Sequence, residues 1–188
     1  MFATKEELIA AIETTIDQGH PYKYLFFWGH HPAADGRITQ SCFSQWWEQS
    51  PFIVDDVTYL TAEHYMMAEK ARLFGDQESA DLIVAATHPK QAKDLGRQAK
   101  GFNDTLWKQH RSAIVIRGNY HKFSQHDDLK TFLLQTGDRV LVEASPVDAI
   151  WGIGLDRHSP DACYPAKWPG LNLLGFALMQ VREQLRAA

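Results

Sequence analysis

The chain has 188 residues, 45 % hydrophobic and 22 % charged, with a formal net charge of −4. Those proportions exclude a disordered or fibrous chain and leave enough apolar residues for one self-sufficient core. The acidic balance argues against a strongly electrostatic nucleic-acid binder.

Thr4 to Gln18 reads as the first helix. Thr4 is the expected N-cap, and Glu7 three residues on completes a capping box. Leu8, Ile9, Ile12 and Ile16 recur at helical spacing, and Gly19 is a stop signal. Tyr24 to Gly29 is a short aromatic run that predicts a strand, and Pro32 to Gly36 a turn. Ile38 to Trp47 is expected to hold another strand. Phe52 to Tyr59 alternates β-formers around Asp55-Asp56, as one arm of a hairpin does. From there the chain turns helical: Ala62 to Phe74, Gln77 to Ala86, Lys90 to Gln98, Asp104 to Phe123 and His126 to Thr136. Gly75, Pro89 and Gly137 supply stops. Arg139 to Ala144 alternates as a strand does. Ser145 to Pro169 is a loop rich in Pro, Gly and Asp. Asn172 to Leu185 closes the chain as a helix with Leu173, Leu174, Ala177, Leu178, Val181 and Leu185 inward. The pattern predicts an α+β fold, mostly helical with a few short strands, over residues 1–188 as a single domain.

The N-terminus has no basic region followed by a long apolar run, so no signal peptide is expected. No run approaches the roughly 18 apolar residues of a membrane span. A cytoplasmic location is the expectation, with no membrane partner. Cys42 and Cys163 are too few for a disulfide framework and read as buried thiols in a reducing compartment.

Thr61 to Lys70 is the most informative segment. On a helix, Glu63, Met66, Met67, Lys70, Leu73 and Phe74 share one face, apolar except for one acid and one base. Glu and Lys are rarely buried unless paired or functional. Glu63 and Lys70 lie about 10.5 Å apart along the axis, too far to pair as i,i+4 neighbours do. A polar ligand in a cleft would meet both. The same positions also suit a first-turn acid favoured by the helix dipole and a lysine that snorkels to water. Glu143 to Gly154 is a second candidate. There a strand ends in a glycine-flanked loop carrying Asp148, Trp151 and Glu143, which a capped turn with a core tryptophan would explain equally well. Six tryptophans are spread along the chain, and one or two in a cleft would stack a base. The histidines and cysteines lack ligand spacing, and no phosphate-binding glycine motif is present, so no metal and no cofactor are expected.

Taken in order, these segments resemble the NADAR family, which includes the YbiA-like N-glycosidases. The pieces that carry the resemblance are Phe26-Phe27-Trp28, Phe43 to Trp47, Thr61 to Ala71 and Ala92 to Arg97. Trp107, Lys122-Phe123, Leu133 to Gly137, Glu143 to Gly154, Trp168 to Gly175 and Leu178-Met179 follow. Two departures stand out. Phe43-Ser44-Gln45-Trp46 replaces the family's frequent Leu-Ser-Asn-Phe, and Gly170-Leu171-Asn172 replaces Gly-Lys-Asn.

The resemblance implies cleavage of an N-glycosidic bond, with functional positions at Glu63, Lys70, Trp107, Asp148 and Trp151. Glu63, Lys70 and Asp148 are the expected catalytic groups. Trp107, Trp151, Gly152, Arg97, Ser44 and Asn172 are the expected substrate contacts, with the planar fork of Arg97 suited to a phosphate. Relatives are associated with hydrolysing ribosylaminopyrimidine phosphates, which are early riboflavin biosynthesis intermediates. Others remove ADP-ribose from guanine in nucleic acid. Both substrates join ribose C1 to an exocyclic nitrogen. The acidic charge leans toward the small-molecule substrate over nucleic acid. A third reading is a non-catalytic sensor of NAD or ADP-ribose. The presence of Glu63, Lys70 and Asp148 together counts against it, because binding alone needs only aromatic and phosphate contacts.

Overall fold

A computed structural model describes residues 2–15 and 22–188. Helix α1 spans Lys5–Thr15. Thr4 Oγ1 accepts from the Glu7 N–H at 3.2 Å, and Glu7 Oε2 accepts from the Ala3 N–H at 2.7 Å, so the acid reaches back one residue beyond the cap. The expected continuation to Gln18, the inward Ile16 and the Gly19 stop lie outside the described residues.

Strand β1 (Tyr24–Phe27) pairs in parallel with β4 (Val140–Glu143), Phe27 opposite Glu143. A hairpin of β2 (Phe52–Val54) and β3 (Val57–Tyr59) forms the other sheet. Asp55 and Asp56 both take positive φ, the conformation of a two-residue turn that matches strand twist and that a short acidic side chain tolerates. The helices are α2 (Ala62–Leu73), α3 (Gln77–Ala85), α4 (Pro89–Arg97), α5 (Asp104–Ser124), α6 (Asp127–Leu134) and α7 (Leu173–Ala187). Each lies within a few residues of its sequence-based expectation. The α+β, mostly helical reading describes the molecule.

Helix α2 is the centre. Every residue from Ala62 to Ala68 is buried, and α3, α4 and α5 pack around it. Glycines set two of those distances. A Cβ on Gly96 would strike the Met67 side chain, and one on Gly118 would strike the Tyr65 ring. His64 is wholly buried yet satisfied. Its Nε2 faces the Ala86 carbonyl at 3.1 Å and therefore carries the proton, while Nδ1 lies 2.8 Å from the Thr61 hydroxyl. Burial pushes its pKa down and keeps the ring neutral.

The strand expected over Ile38–Trp47 is not formed. A 3-10 helix covers Gln40–Phe43, and the chain then turns through Ser44 to Trp47. The reason is a distant cation. Lys122 on α5 is fully buried, and its Nζ donates to the carbonyls of Cys42 (2.6 Å) and Ser44 (2.9 Å). The Gln45 carbonyl accepts from the Glu63 N–H at 2.9 Å. With those acceptors engaged by a side chain and a helix end, no strand ladder can form. Phe43 meanwhile packs against Phe27, Phe123 and Phe132. The cysteine expectation is also half corrected: both thiols are free, Cys42 is buried and Cys163 is exposed. No described helix is long and apolar enough to cross a membrane.

Candidate active site

Because β1 and β4 run parallel, both end on the same side of the molecule. Ligands gather at the carboxyl ends of parallel strands, where the loops diverge. Here the segment after β1 (Trp28 to His31) and the one after β4 (Ser145 to Trp151) flank a cleft of about 630 Å³. The Ser44–Trp46 turn and one face of α2 complete it, and Lys93 and Arg97 of α4 line its far side. That volume suits a small organic ligand.

Glu63 is 3 % exposed, and its Oε1 takes no hydrogen bond among the described residues. Burial pushes its pKa up to about 7. Asp148 adds to the rise, while Lys93 and the Trp46 indole oppose it. Lys70 does not pair with Glu63. Its Nζ donates to the Gly96 carbonyl at 2.9 Å and sits 4.7 Å from the Phe102 ring centre and 5.8 Å from that of Trp107. Burial, seconded by the Arg97 charge, lowers the Lys70 pKa, and Glu63 partly offsets this. Asp148 Oδ1 accepts from the backbone N–H groups of Ile150 and Trp151, both at 2.8 Å. These bonds fix the carboxylate and bring Trp151 onto the cleft wall.

Of the residues expected from sequence, Glu63, Lys70, Asp148, Trp151, Arg97 and Ser44 line the cleft. Trp107 stands behind Lys70 without lining it. Asn172 is wholly buried and engaged with β4: Oδ1 accepts from the Glu143 N–H (2.9 Å), and Nδ2 donates to the Leu141 carbonyl (3.0 Å). It imitates a neighbouring strand, at a positive φ that asparagine tolerates. Gly152 is buried against the strand end, where an added Cβ would come within 2.8 Å of the Glu143 carbonyl oxygen. Both positions hold the loop in place from behind the cleft wall.

Sequence reasoning gave several groups of the cleft no part in the site. Glu143 lines the cleft, and its Oε2 is buried and without a hydrogen bond among the described residues, although the residue as a whole is partly exposed. Burial, then Asp148 and Glu63, push its pKa up to about 8, with Lys93 pulling the other way. Trp46, Lys93, Trp28 and the adjacent rings of His30 and His31 (centres 4.4 Å apart) also face the site. Glu143 had one signal, as the last residue of an apolar strand entering the loop. Among the described residues no group of three or more His, Cys, Asp or Glu is placed to hold a metal ion.

The anchored turn gives a direct test of how the site is held. Lys122, whose pKa burial pushes down to about 8, satisfies two carbonyls that would otherwise be orphaned. Replacing it as Lys122→Met should cost about 2–4 kcal/mol, the worth of two bonds from a charged donor less its desolvation. The urea midpoint should fall accordingly, and an unchanged midpoint would show that the turn does not depend on this anchor.

The comparisons with known proteins agree with the geometry. The NADAR domain model matches residues 26–186. N-glycosidase R617 of Acanthamoeba polyphaga mimivirus is 43 % identical over 166 residues, covering 86 % of this chain and 96 % of that protein. The chloroplastic riboflavin biosynthesis protein PYRR of Zea mays is 35 % identical over 138 residues, which span 70 % of this chain and 20 % of that longer protein. Among solved structures, the NMR structure of the E. coli protein YbiA superposes with a TM-score of 0.70 at 28 % identity, over 89 % of this chain and 88 % of that one.

Proposed function

This chain belongs to the NADAR family, and we propose that it is an N-glycosidase that hydrolyses the ribose C1–N bond of ribosylaminopyrimidine phosphates. The hydrolase class follows from its kinship with relatives named as N-glycosidases. The single observation that carries the reading is the meeting of the Glu63 and Asp148 carboxyls with the Lys70 amine on one cleft. The substrate reading is supported by the cleft volume, by Lys93 and Arg97 as cations for a phosphate, and by the match to a riboflavin biosynthesis protein.

The chemistry suits those groups. In an amine-substituted ribose, the nitrogen lone pair forms C=N as the ring oxygen leaves C1 and takes a proton. The free Lys70 amine adds to C1, and the base amine departs with a proton, leaving a lysine iminium. Water then adds to C1, and the lysine leaves as the free amine, releasing the sugar. Glu63 and Asp148 supply and collect the protons. Trp151 stacks the base from the cleft wall, Trp107 shields Lys70, and Arg97 holds the phosphate.

ADP-ribosyl guanine is the second reading. It presents the same bond, and Trp28, 56 % exposed at the cleft rim, would give its second base a surface to stack on. The test is product analysis by mass spectrometry with three compounds: a ribosylaminopyrimidine phosphate, NAD and ADP-ribosylated guanine DNA. Free base from the first supports the proposal, and free guanine-containing DNA from the third supports the second reading. Binding without release in all three would leave a sensor.

A further inference from the structure

We propose that Glu143 is the acid that hands a proton to the departing nitrogen. The inference rests on the C1–N cleavage described above and gives a role to a group that the sequence reading placed in a candidate loop without assigning it one.

Three placements carry it. Glu143 stands at the very end of β4, where the strand opens into the cleft, and its Oε2 is buried yet unpaired among the described residues. Its backbone is clamped on both sides. The N–H donates to Asn172 Oδ1, and the carbonyl accepts from the Ile153 N–H at 2.9 Å. The Gly152 approach and the Asn172 clamp therefore serve to aim this one side chain. A buried oxygen without a partner costs about 1–3 kcal/mol, a strain a fold retains where a substrate supplies the missing bond.

The surrounding charges decide which carboxyl keeps the proton. Glu63 faces Glu143 from α2, and Asp148 from the loop that follows. Lys93 faces it from α4, and Lys70, Arg97, His30 and His31 complete the titratable and charged lining. Asp148 is fixed by two backbone N–H groups. Glu63 feels Lys93 and the Trp46 indole. Glu143 has two acidic neighbours and a single opposing cation, so its carboxyl holds its proton more firmly than an ordinary one. In the step itself the C1–N bond breaks, the nitrogen takes the Glu143 proton, and the resulting carboxylate recovers one from the water that adds to C1.

The test compares leaving groups in wild type and Glu143→Gln, which keeps the shape but cannot give up a proton. One substrate is the ribosylaminopyrimidine phosphate. The other is the ribosylamine phosphate of an electron-poor arylamine, whose nitrogen keeps the lone pair that opens the ring but departs with far less need of a proton. The variant should lose about a hundredfold in kcat on the first and at least about tenfold less than that on the second. Equal losses on both would overturn the acid role and leave Glu143 a packing residue. Wild-type turnover with an unaffected variant would overturn it while leaving the C1–N reading intact. If wild type cleaves neither compound, the C1–N reading fails and takes the acid role with it. Infrared difference spectra give a second readout: the protonated-carboxyl band at pH 7 should lose its larger part in Glu143→Gln and keep it in Glu63→Gln. A band undiminished in Glu143→Gln would also overturn the proposal.

Discussion

Lys70→Ala should abolish borohydride trapping of a ribosylated adduct and lower base release on the order of a thousandfold, within the range of one positioned acid, base or nucleophile. The setting of Lys70 explains the size. Burial favours the free amine, and the Arg97 charge pushes in the same direction. The Gly96 carbonyl and the Phe102 and Trp107 rings hold the amine at the cleft edge. Lys70→Arg sharpens the test. Arginine retains a cation for Gly96 and the rings but forms no Schiff base, so it should also lose trapping. An adduct that persists in Lys70→Ala would remove the lysine from the covalent step. Acidification should lower the wild-type rate, because protonation through the depressed pKa consumes the attacking amine. The thermal midpoint should move little in Lys70→Ala, since its hydrogen bond is only part-buried.

Much of this arrangement is legible in the sequence, for a physical reason. The helix that carries Glu63 and Lys70 is capped by its own Thr61, and its cleft-facing side follows from 3.6-residue periodicity. The strand from Val140 to Glu143 and the closing helix are likewise local, whereas Phe52 to Tyr59, expected as one arm of a hairpin, folds back at Asp55-Asp56 and supplies both arms. The misread segment, Ile38 to Trp47, is set by Lys122, which lies 78 residues along the chain from Ser44. No window around Ser44 contains that information. Asn172 and Gly152 illustrate a second limit. Their importance marks them as site residues, but the side chains and backbone they support are those of β4 and its loop. Glu143 shows the converse: the sequence places it at a strand end entering a candidate loop, but its setting depends on Glu63 and Lys93, which lie far from it along the chain.

The largest stability effect expected is a pH dependence located at Glu143. Its folded pKa of about 8 stands far above the ordinary 4.5. Between those values the folded chain retains a proton that the unfolded chain has released. Stability from this group is therefore complete below about pH 4.5 and is lost as pH rises through 8. Each unit of that window corresponds to about 1.4 kcal/mol of differential proton affinity, and relaxation of the site reduces the sum to a few kcal/mol. Glu63, pushed up to about 7, slopes the same way. Other groups slope oppositely: the depressed imidazoles of His30, His64 and His121 at lower pH, and Lys122 above about 8. The measurement that isolates Glu143 is thus the difference between wild type and Glu143→Gln. Their urea stabilities should nearly coincide at pH 5 and diverge by a few kcal/mol at pH 9, with the variant the more stable. Parallel curves would show that Glu143 is not held protonated by the fold. A variant that gains stability while losing turnover would locate the cost of the site in the chemistry it performs: a carboxyl oxygen kept buried and unpaired so that it reaches the substrate with its proton still in place.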